Sequence, residues 1–238
     1  RQIEAQLIQS GKLAAIGEMA AGVAHELNNP LTAIMGNSQL LLRKINENDA
    51  SYPLLKDIYE CGKRSKNIIR NLLTFSRQDE YLFEKCSVNE AVHQALGIVG
   101  NQLSKQSIHI QTNLDESIPL IEGSCQQIVQ IILNLLLNAK DALEDSLQMN
   151  KTILIQTALE AADGGQKIVL RVEDNGKGME ESIIPEIFHP FYTTKSGTKG
   201  NGLGLSVSLG IAESHGGTLR AESVLGKGST FKLILPIP

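Results

Sequence analysis

The chain has no tryptophan, and its few phenylalanines and tyrosines make only 4% of 238 residues, so any core must be built from aliphatic side chains. It has no excess of basic charge: 22 Lys and Arg stand against 26 Asp and Glu, a net charge of −4. That balance gives no support for nucleic-acid or acidic-lipid binding, which would show as basic patches. No apolar run reaches the roughly 18–20 residues of a membrane span, and no signal peptide is visible. The three cysteines, Cys61, Cys86 and Cys125, match neither a metal-ligand spacing nor a disulfide framework. They read as reduced, buried thiols of a cytosolic protein. Two phosphate-binding signatures are also missing, G-x-x-x-x-G-K-[ST] and G-x-G-x-x-G.

Hydrophobic residues make up 42% of the chain, enough for a sizeable core. The first 78 residues carry a heptad seam: Leu13, Gly17, Ala20, Ala24, Leu27, Leu31, Ile34, Ser38, Leu41 and Ile45. Turn formers interrupt it at Asn46–Pro53, and a second seam follows at Leu54, Ile58, Cys61, Ser65, Ile68, Leu72 and Phe75. Two such helices form an antiparallel hairpin, residues 1–78. Leu42, Ile69 and Leu73 flank the seams, so two hairpins should pair as a four-helix bundle in a homodimer.

Within the first helix lies AAGVAHELNNPL, Ala20–Leu31. His25 follows a seam position and should sit at the bundle edge. Glu26 is adjacent, and Asn29 lies one turn on, on the same face. Pro30 removes an N–H and crowds the Glu26 carbonyl, which predicts a kink there.

Residues 79–86 read as a polar linker, and 87–238 as a second domain. Capping boxes at Ser87–Glu90 and Ser124–Gln127 open helices reaching about Gln106 and Leu147. Strands are predicted at Ile108–Leu114, Ile118–Glu122, Ile153–Leu159, Ile168–Asp174, Thr218–Ser223 and Ser229–Leu235, with a hairpin turn at Asp163–Gly165 and a helix ending near Ser214. Mostly antiparallel strands interleaved with helices argue an α+β sandwich with helices on one face.

Five patterns here carry chemistry. NLLLNAKDAL places Asn134, Asn138 and Asp141 on one helix face; amide oxygens suit a hard cation such as Mg²⁺ that keeps nucleotide phosphates as its other ligands. In VEDNGKGM, Asp174 ends a strand where its carboxylate could accept from an adenine amine, and Asn175–Gly178 turn the chain. IFHPFYTTK offers Phe188 and Phe191 as a hydrophobic anchor. From there to GTKGNGLGL runs a polar lid with Lys195 and Lys199, and Gly202 and Gly204 enter a helix start suited to phosphate. GKGSTF, Gly226–Phe231, reads as a turn from which Thr230 reaches nucleotide.

Taken in order, these residues resemble a sensor histidine kinase of two-component signalling. AAGVAHELNNPL resembles its His-box, NLLLNAKDAL the N-box, DNGKG the G1 box, FHPFYTTK the F-box, and GNGLGL the G2 box. With GKGST, six boxes span residues 12–238 in family order. Two departures are small: Ser124 stands where many members have Asp, and Asp141 where some carry a phosphate-contacting Lys. The resemblance implies a phosphoacceptor and dimerisation hairpin followed by an ATP-binding α/β sandwich of the type shared with Hsp90, gyrase and MutL. It implies His25 as phosphoacceptor, with Glu26 and Asn29 completing the catalytic set. Asn138 becomes the Mg²⁺ ligand, and Asp174 the adenine-reading carboxylate. The nucleotide set is Asn134, Asn138, Asp141, Asp174, Gly176, Gly178, Thr194, Lys195, Gly200, Gly202, Leu203, Gly204, Leu205 and Thr230. ATP and Mg²⁺ are the expected cofactors, and a response regulator receiver domain the expected partner. Glu26-x-x-Asn29 also resembles the family's phosphatase pattern. The expected location is cytoplasmic, free or as the cytoplasmic part of a membrane-bound sensor; a membrane would enter only through a segment upstream of Arg1. The competing class is an ATP-driven conformational clamp of the Hsp90/MutL type.

Overall fold

The computed structural model describes residues 27–76, 83–144, 146, 148–162, 165–194 and 202–237. The chain divides into two compact units, residues 1–80 and 81–238.

The first unit is a helical hairpin. Helix α1 is described over 27–44, and α2 covers Tyr52–Ser76. Between them Asp49 accepts from the Ser51 amide at 2.8 Å, and its carbonyl accepts from the Tyr52 amide at 3.0 Å, starting α2. The apolar stripe that faces inward coincides with the predicted seam only in part. The shielded positions of α1 include Leu31, Met35, Ser38 and Leu42, with Ile45 just past its end; on α2 they include Tyr52, Leu55, Tyr59, Gly62, Ser65 and Ile69. Gly62 lies so close to α1 that a Cβ there would stand 2.5 Å from Met35 Cγ. The predicted seam residues Leu27, Ile34, Leu41, Leu54 and Ile58 are instead 45% to 65% exposed. The hairpin thus uses one half of the predicted α1 seam, Leu31, Ser38 and Ile45, together with Met35 and the flanking Leu42, and leaves the other half outward. The kink predicted at Pro30 involves the Glu26 carbonyl, outside the described residues.

The second unit is a five-stranded sheet with three helices against one face. Its strands are β2 (Ile108–Leu114), β4 (Lys151–Ala162), β5 (Gly165–Asp174), β6 (Thr218–Val224) and β7 (Gly228–Pro236), in the order β2-β4-β5-β7-β6. All pairs are antiparallel except β2 with β4. Period-two alternation turns Ile153, Ile155, Ile168, Leu170, Val172, Phe231, Leu233 and Leu235 inward, and each is buried. Onto this face pack α3 (Val88–Lys105), α4 (Cys125–Glu144) and α5 (Gly204–Ser214). Burying eight such aliphatic and aromatic side chains is worth roughly 1.5–3 kcal/mol each before chain entropy is counted.

Both predicted capping boxes form their first bond: the Glu90 amide donates to Ser87 Oγ and the Gln127 amide to Ser124 Oγ, each at 3.3 Å. Helix α4 stops at Glu144, three residues earlier than expected, because the Ser146 amide and hydroxyl both turn back to the Leu143 carbonyl, at 3.2 and 3.0 Å. The strand expected at Ile118–Glu122 shrinks to β3, Ile121–Gly123, since Pro119 has no N–H to give a ladder. Strand β1, Glu84–Cys86, was not predicted; it lies in the segment read as linker and pairs with β3.

That pairing overturns the reading of the cysteines. Cys86 and Cys125 form a disulfide, their Cα atoms 5.4 Å apart across 39 residues of sequence. Cys61, read as buried, is exposed. The antiparallel ladder sets Cys86 opposite Ile121, and the chain leaving β3 enters α4 at Cys125 within reach of it; no local spacing announces this.

His215, at the end of α5, ties the same corner. Its buried Nε2 accepts from the Ser124 amide at 3.0 Å, and Nδ1 donates to the Ile211 carbonyl at 2.8 Å. Burial lowers its pKa, in keeping with a neutral ring. Phe83 stacks on it at 4.8 Å. His215→Ala strands the Ser124 N–H and is expected to destabilise the second unit by about 1–3 kcal/mol, read as a lower denaturant midpoint with unchanged slope.

Candidate functional site

The site begins at the end of β5. Asp174, only 4% exposed, accepts from the Gly176 amide at 2.8 Å and faces Ser229 across the ladder. Burial is the largest influence on this carboxyl and raises its pKa to about 6, against the opposing hydrogen bonds from the Gly176 and Ser229 amides. Asn175 holds the turn to β4: its Oδ1 accepts from the Thr152 amide at 2.8 Å, and its Nδ2 donates to the Asn150 carbonyl at 2.7 Å.

The turn is docked on α4. The Lys177 amide donates to the Ala142 carbonyl at 3.1 Å, one helical turn beyond Asn138. A Cβ on Gly176 would stand 2.8 Å from that carbonyl. Gly178 has φ +64°, and its Cβ would meet the Val224 carbonyl oxygen at 2.0 Å. Only glycine fits either place.

Along α4, Asn134, Asn138 and Asp141 are half-buried on one face. Asn134 is a tie to α5: its Nδ2 donates to the Gly204 carbonyl at 2.8 Å and to Ser208 Oγ at 3.1 Å. Lys140 lies 3.4 Å from Asp141 Oδ1 and 3.2 Å from Glu144 Oε1. It is partly desolvated, yet these two carboxylates raise its pKa overall, so it stays a cation paired with them.

Helix α5 opens at Gly204 with no side-chain cap and no acidic residue in its first turn, an arrangement that favours an anion. Before it, Gly202 has φ +66° and its carbonyl accepts from the Phe191 amide at 2.9 Å. That bond clasps the two ends of the segment expected to act as a lid. The Leu203 side chain is buried, so only its backbone could serve a ligand; Leu205 is half-buried. Thr194 is exposed.

Two expected placements do not hold. Phe191 is 65% exposed with φ +68°, and Ile187 is the buried residue of that segment. Thr230 lies on the opposite face of β7 from Asp174, opposite Glu173. Ser229 stands beside Asp174 instead, buried and 2.9 Å from Ser223 Oγ. Strand alternation counted from the core residue Phe231 would have found it. His25, Glu26, Lys195 and Gly200 lie outside the described residues, whereas Asn29 is exposed on α1. Among the described residues no three His, Cys, Asp or Glu side chains gather as a metal site, and no helix is long and apolar enough to cross a membrane.

Two family models match the chain. The His kinase A (phospho-acceptor) domain matches residues 15–81, and the histidine kinase-, DNA gyrase B- and HSP90-like ATPase matches 123–238. The chain belongs to the sensor histidine kinase family. The sensor kinase CckA of Brucella abortus is 34% identical over 99% of this chain and 26% of its own length. The histidine-protein kinase AtoS of Escherichia coli is 35% identical over 100% and 37%. The chain thus spans about a quarter to a half of the curated relatives it matches. The fold of full-length ShkA, solved with AMPPNP, superposes with a TM-score of 0.75 over 92% of this chain and 45% of that one, at 23% identity. Histidine kinase ThkA, solved with the response regulator protein TrrA, superposes with a TM-score of 0.66 over 100% and 66%, at 25% identity.

In a histidine kinase with this turn, nucleotide binding is expected to follow the ionisation of Asp174. Its pKa near 6 means that ATP affinity, measured by calorimetry, should drop about tenfold between pH 7 and pH 5. Asp174→Asn should bind weakly at both. Gly178→Ala should cost about 2–5 kcal/mol of stability from the positive φ and the clash with Val224, read by thermal denaturation.

Proposed function

We propose that the chain phosphorylates itself on His25 with ATP and passes the phosphoryl group to an aspartate of a response regulator receiver domain, acting as a homodimer. The observation that carries this reading is the buried Asp174 carboxylate, on a turn docked one helical turn beyond Asn138, in a chain whose first 81 residues include a phospho-acceptor match. The relatives' names support it, as does the ThkA complex with a response regulator.

The residues divide the work. Asp174 accepts from the adenine amine. The amides at the start of α5, with Gly202 and Gly204, receive the phosphates. Asn138 fits a Mg²⁺ ligand: a half-buried amide, where the described residues gather no three His, Cys, Asp or Glu side chains, suits an ion that takes most of its ligands from phosphates and water. Bound there, Mg²⁺ neutralises phosphate charge. The neutral His25 imidazole attacks the γ-phosphorus in line and the bond to ADP breaks. Glu26 holds or accepts the proton of the other ring nitrogen. Transfer of this kind needs mainly positioning and charge neutralisation. A conformational clamp would use the same nucleotide residues, but the phospho-acceptor match over 15–81 tells against it.

The exposed stripe Leu27, Ile34, Leu41, Leu54 and Ile58 supports the homodimer, since two hairpins can bury it as a four-helix bundle. Exposed Asn29 supports a second activity, orienting water against the partner's acyl phosphate.

With labelled Mg-ATP the protein should acquire acid-labile, base-stable label; His25→Gln should abolish it and Asn138→Ala reduce it at least a hundredfold. ATP hydrolysis without protein label would favour the clamp. Asn29→Ala should keep autophosphorylation but slow dephosphorylation of a phosphorylated receiver about tenfold or more; an unchanged rate ends the phosphatase assignment.

A further inference from the structure

The corner where the second unit begins holds chemistry that nucleotide binding does not use. Strand β1 is three residues long, and among the described residues it pairs with the three residues of β3. A two-stranded ladder of this size is marginal by itself. Two other contacts hold it: Phe83 stacks on His215, and Cys86 is bonded to Cys125. Cys125 is the first residue of α4, the helix that carries Asn134, Asn138 and Asp141. A covalent bond therefore joins the chain's entry into this unit to the helix of the nucleotide site.

The two sulfurs differ in access. Cys86 is fully buried, whereas Cys125 is half-buried at a helix N-terminus, where the helix dipole favours a thiolate. We propose that Cys86 and Cys125 form a thiol–disulfide exchange site, closed by small disulfides and opened by dithiols, that fastens β1 to the start of α4. In the opening direction, one thiolate of a dithiol attacks Cys125 Sγ. The Cys86 sulfur leaves and takes a proton. The second thiol of the reductant then attacks its own half of the mixed disulfide, and Cys125 departs as a thiol or thiolate. The protein gains two electrons and up to two protons; the dithiol becomes a cyclic disulfide. Closure is the reverse, with a disulfide such as oxidised glutathione as the oxidant. In a reducing compartment the pair rests open, so closure reports oxidation. Its effect on phosphoryl transfer rests on the function proposed above: opening removes the covalent tie and leaves β1 to its short ladder and its packing, which loosens the link between the entry segment and α4.

The test uses the whole chain, equilibrated in glutathione buffers and then quenched with a maleimide. Oxidised protein should label at Cys61 alone, and reduced protein at Cys61, Cys86 and Cys125, with Cys86 and Cys125 appearing together in one two-electron transition. Amide exchange over 84–86 and 121–123 should quicken at least tenfold on reduction. The rate of His25 labelling from Mg-ATP should change at least threefold. C86S/C125S should behave as the reduced wild type in every buffer, and C61S should keep the full response. Cys86 and Cys125 that label equally in every buffer overturn the proposal, as does amide exchange that ignores the redox state, an unchanged labelling rate, or a response lost in C61S. If His25 takes no label in either state, the kinase reading fails instead, and thiol labelling with amide exchange still decides the exchange site.

Discussion

The close approach between the Lys177 amide and the Ala142 carbonyl, at 3.1 Å, is the contact on which the second unit's chemistry depends. It presses a four-residue turn against the side of α4, and nothing larger than hydrogen fits on the facing side of Gly176. On the other side the turn meets the β6–β7 connection, where Gly178 lies against the Val224 carbonyl and the Gly226 amide donates to the Lys177 carbonyl at 2.6 Å. A strand end, a helix and a hairpin turn thus fix one carboxylate. Asn134 adds a second tie, from α4 to the first turn of α5. The amide face of α4, the carboxylate of β5 and the open end of α5 are held together by hydrogen bonds that involve almost no flexible side chains. Such preorganisation is what the phosphoryl transfer proposed above requires.

Much of this unit was legible because its signals are local. Strand β2 falls on its predicted residues, Ile108–Leu114, because alternation and flanking turns settle it without help from neighbours. The caps at Ser87 and Ser124 are equally local. The features that escaped depend on partners far along the chain. Strand β1 exists only because β3 lies beside it, and the disulfide exists only because β1 does. Ser229 and Thr230 are both small hydroxyls; pairing with Asp174 rather than Glu173 chooses between them, and only register decides that. In the hairpin, periodicity reveals apolar stripes but not which stripe meets which. Gly62 against Met35 settles the matter, since only a residue without a side chain lets the helices close there.

The outward stripe of the hairpin and the buried carboxylate of the second unit share a logic: each leaves a cost that a binding event removes. Leu27, Ile34, Leu41, Leu54 and Ile58 expose apolar surface that a second hairpin can cover. Asp174 is the sharper case. A carboxyl whose pKa is about 6 instead of 3.8 burdens the folded state with about 3 kcal/mol when ionised at neutral pH. The sign follows from linkage: the folded unit holds this proton more tightly than the unfolded chain, so this group's contribution to stability rises as pH falls through about 6 and levels off below 3.8. A ligand that donates a hydrogen bond to the ionised carboxylate works in the opposite direction. It restores part of what desolvation removed and is bound best above that pH. The unliganded unit and its nucleotide complex should therefore respond oppositely to acid around this one residue. That opposition separates a recognition carboxylate from a structural one, whose hydrogen bonds would already stabilise its charge without a ligand.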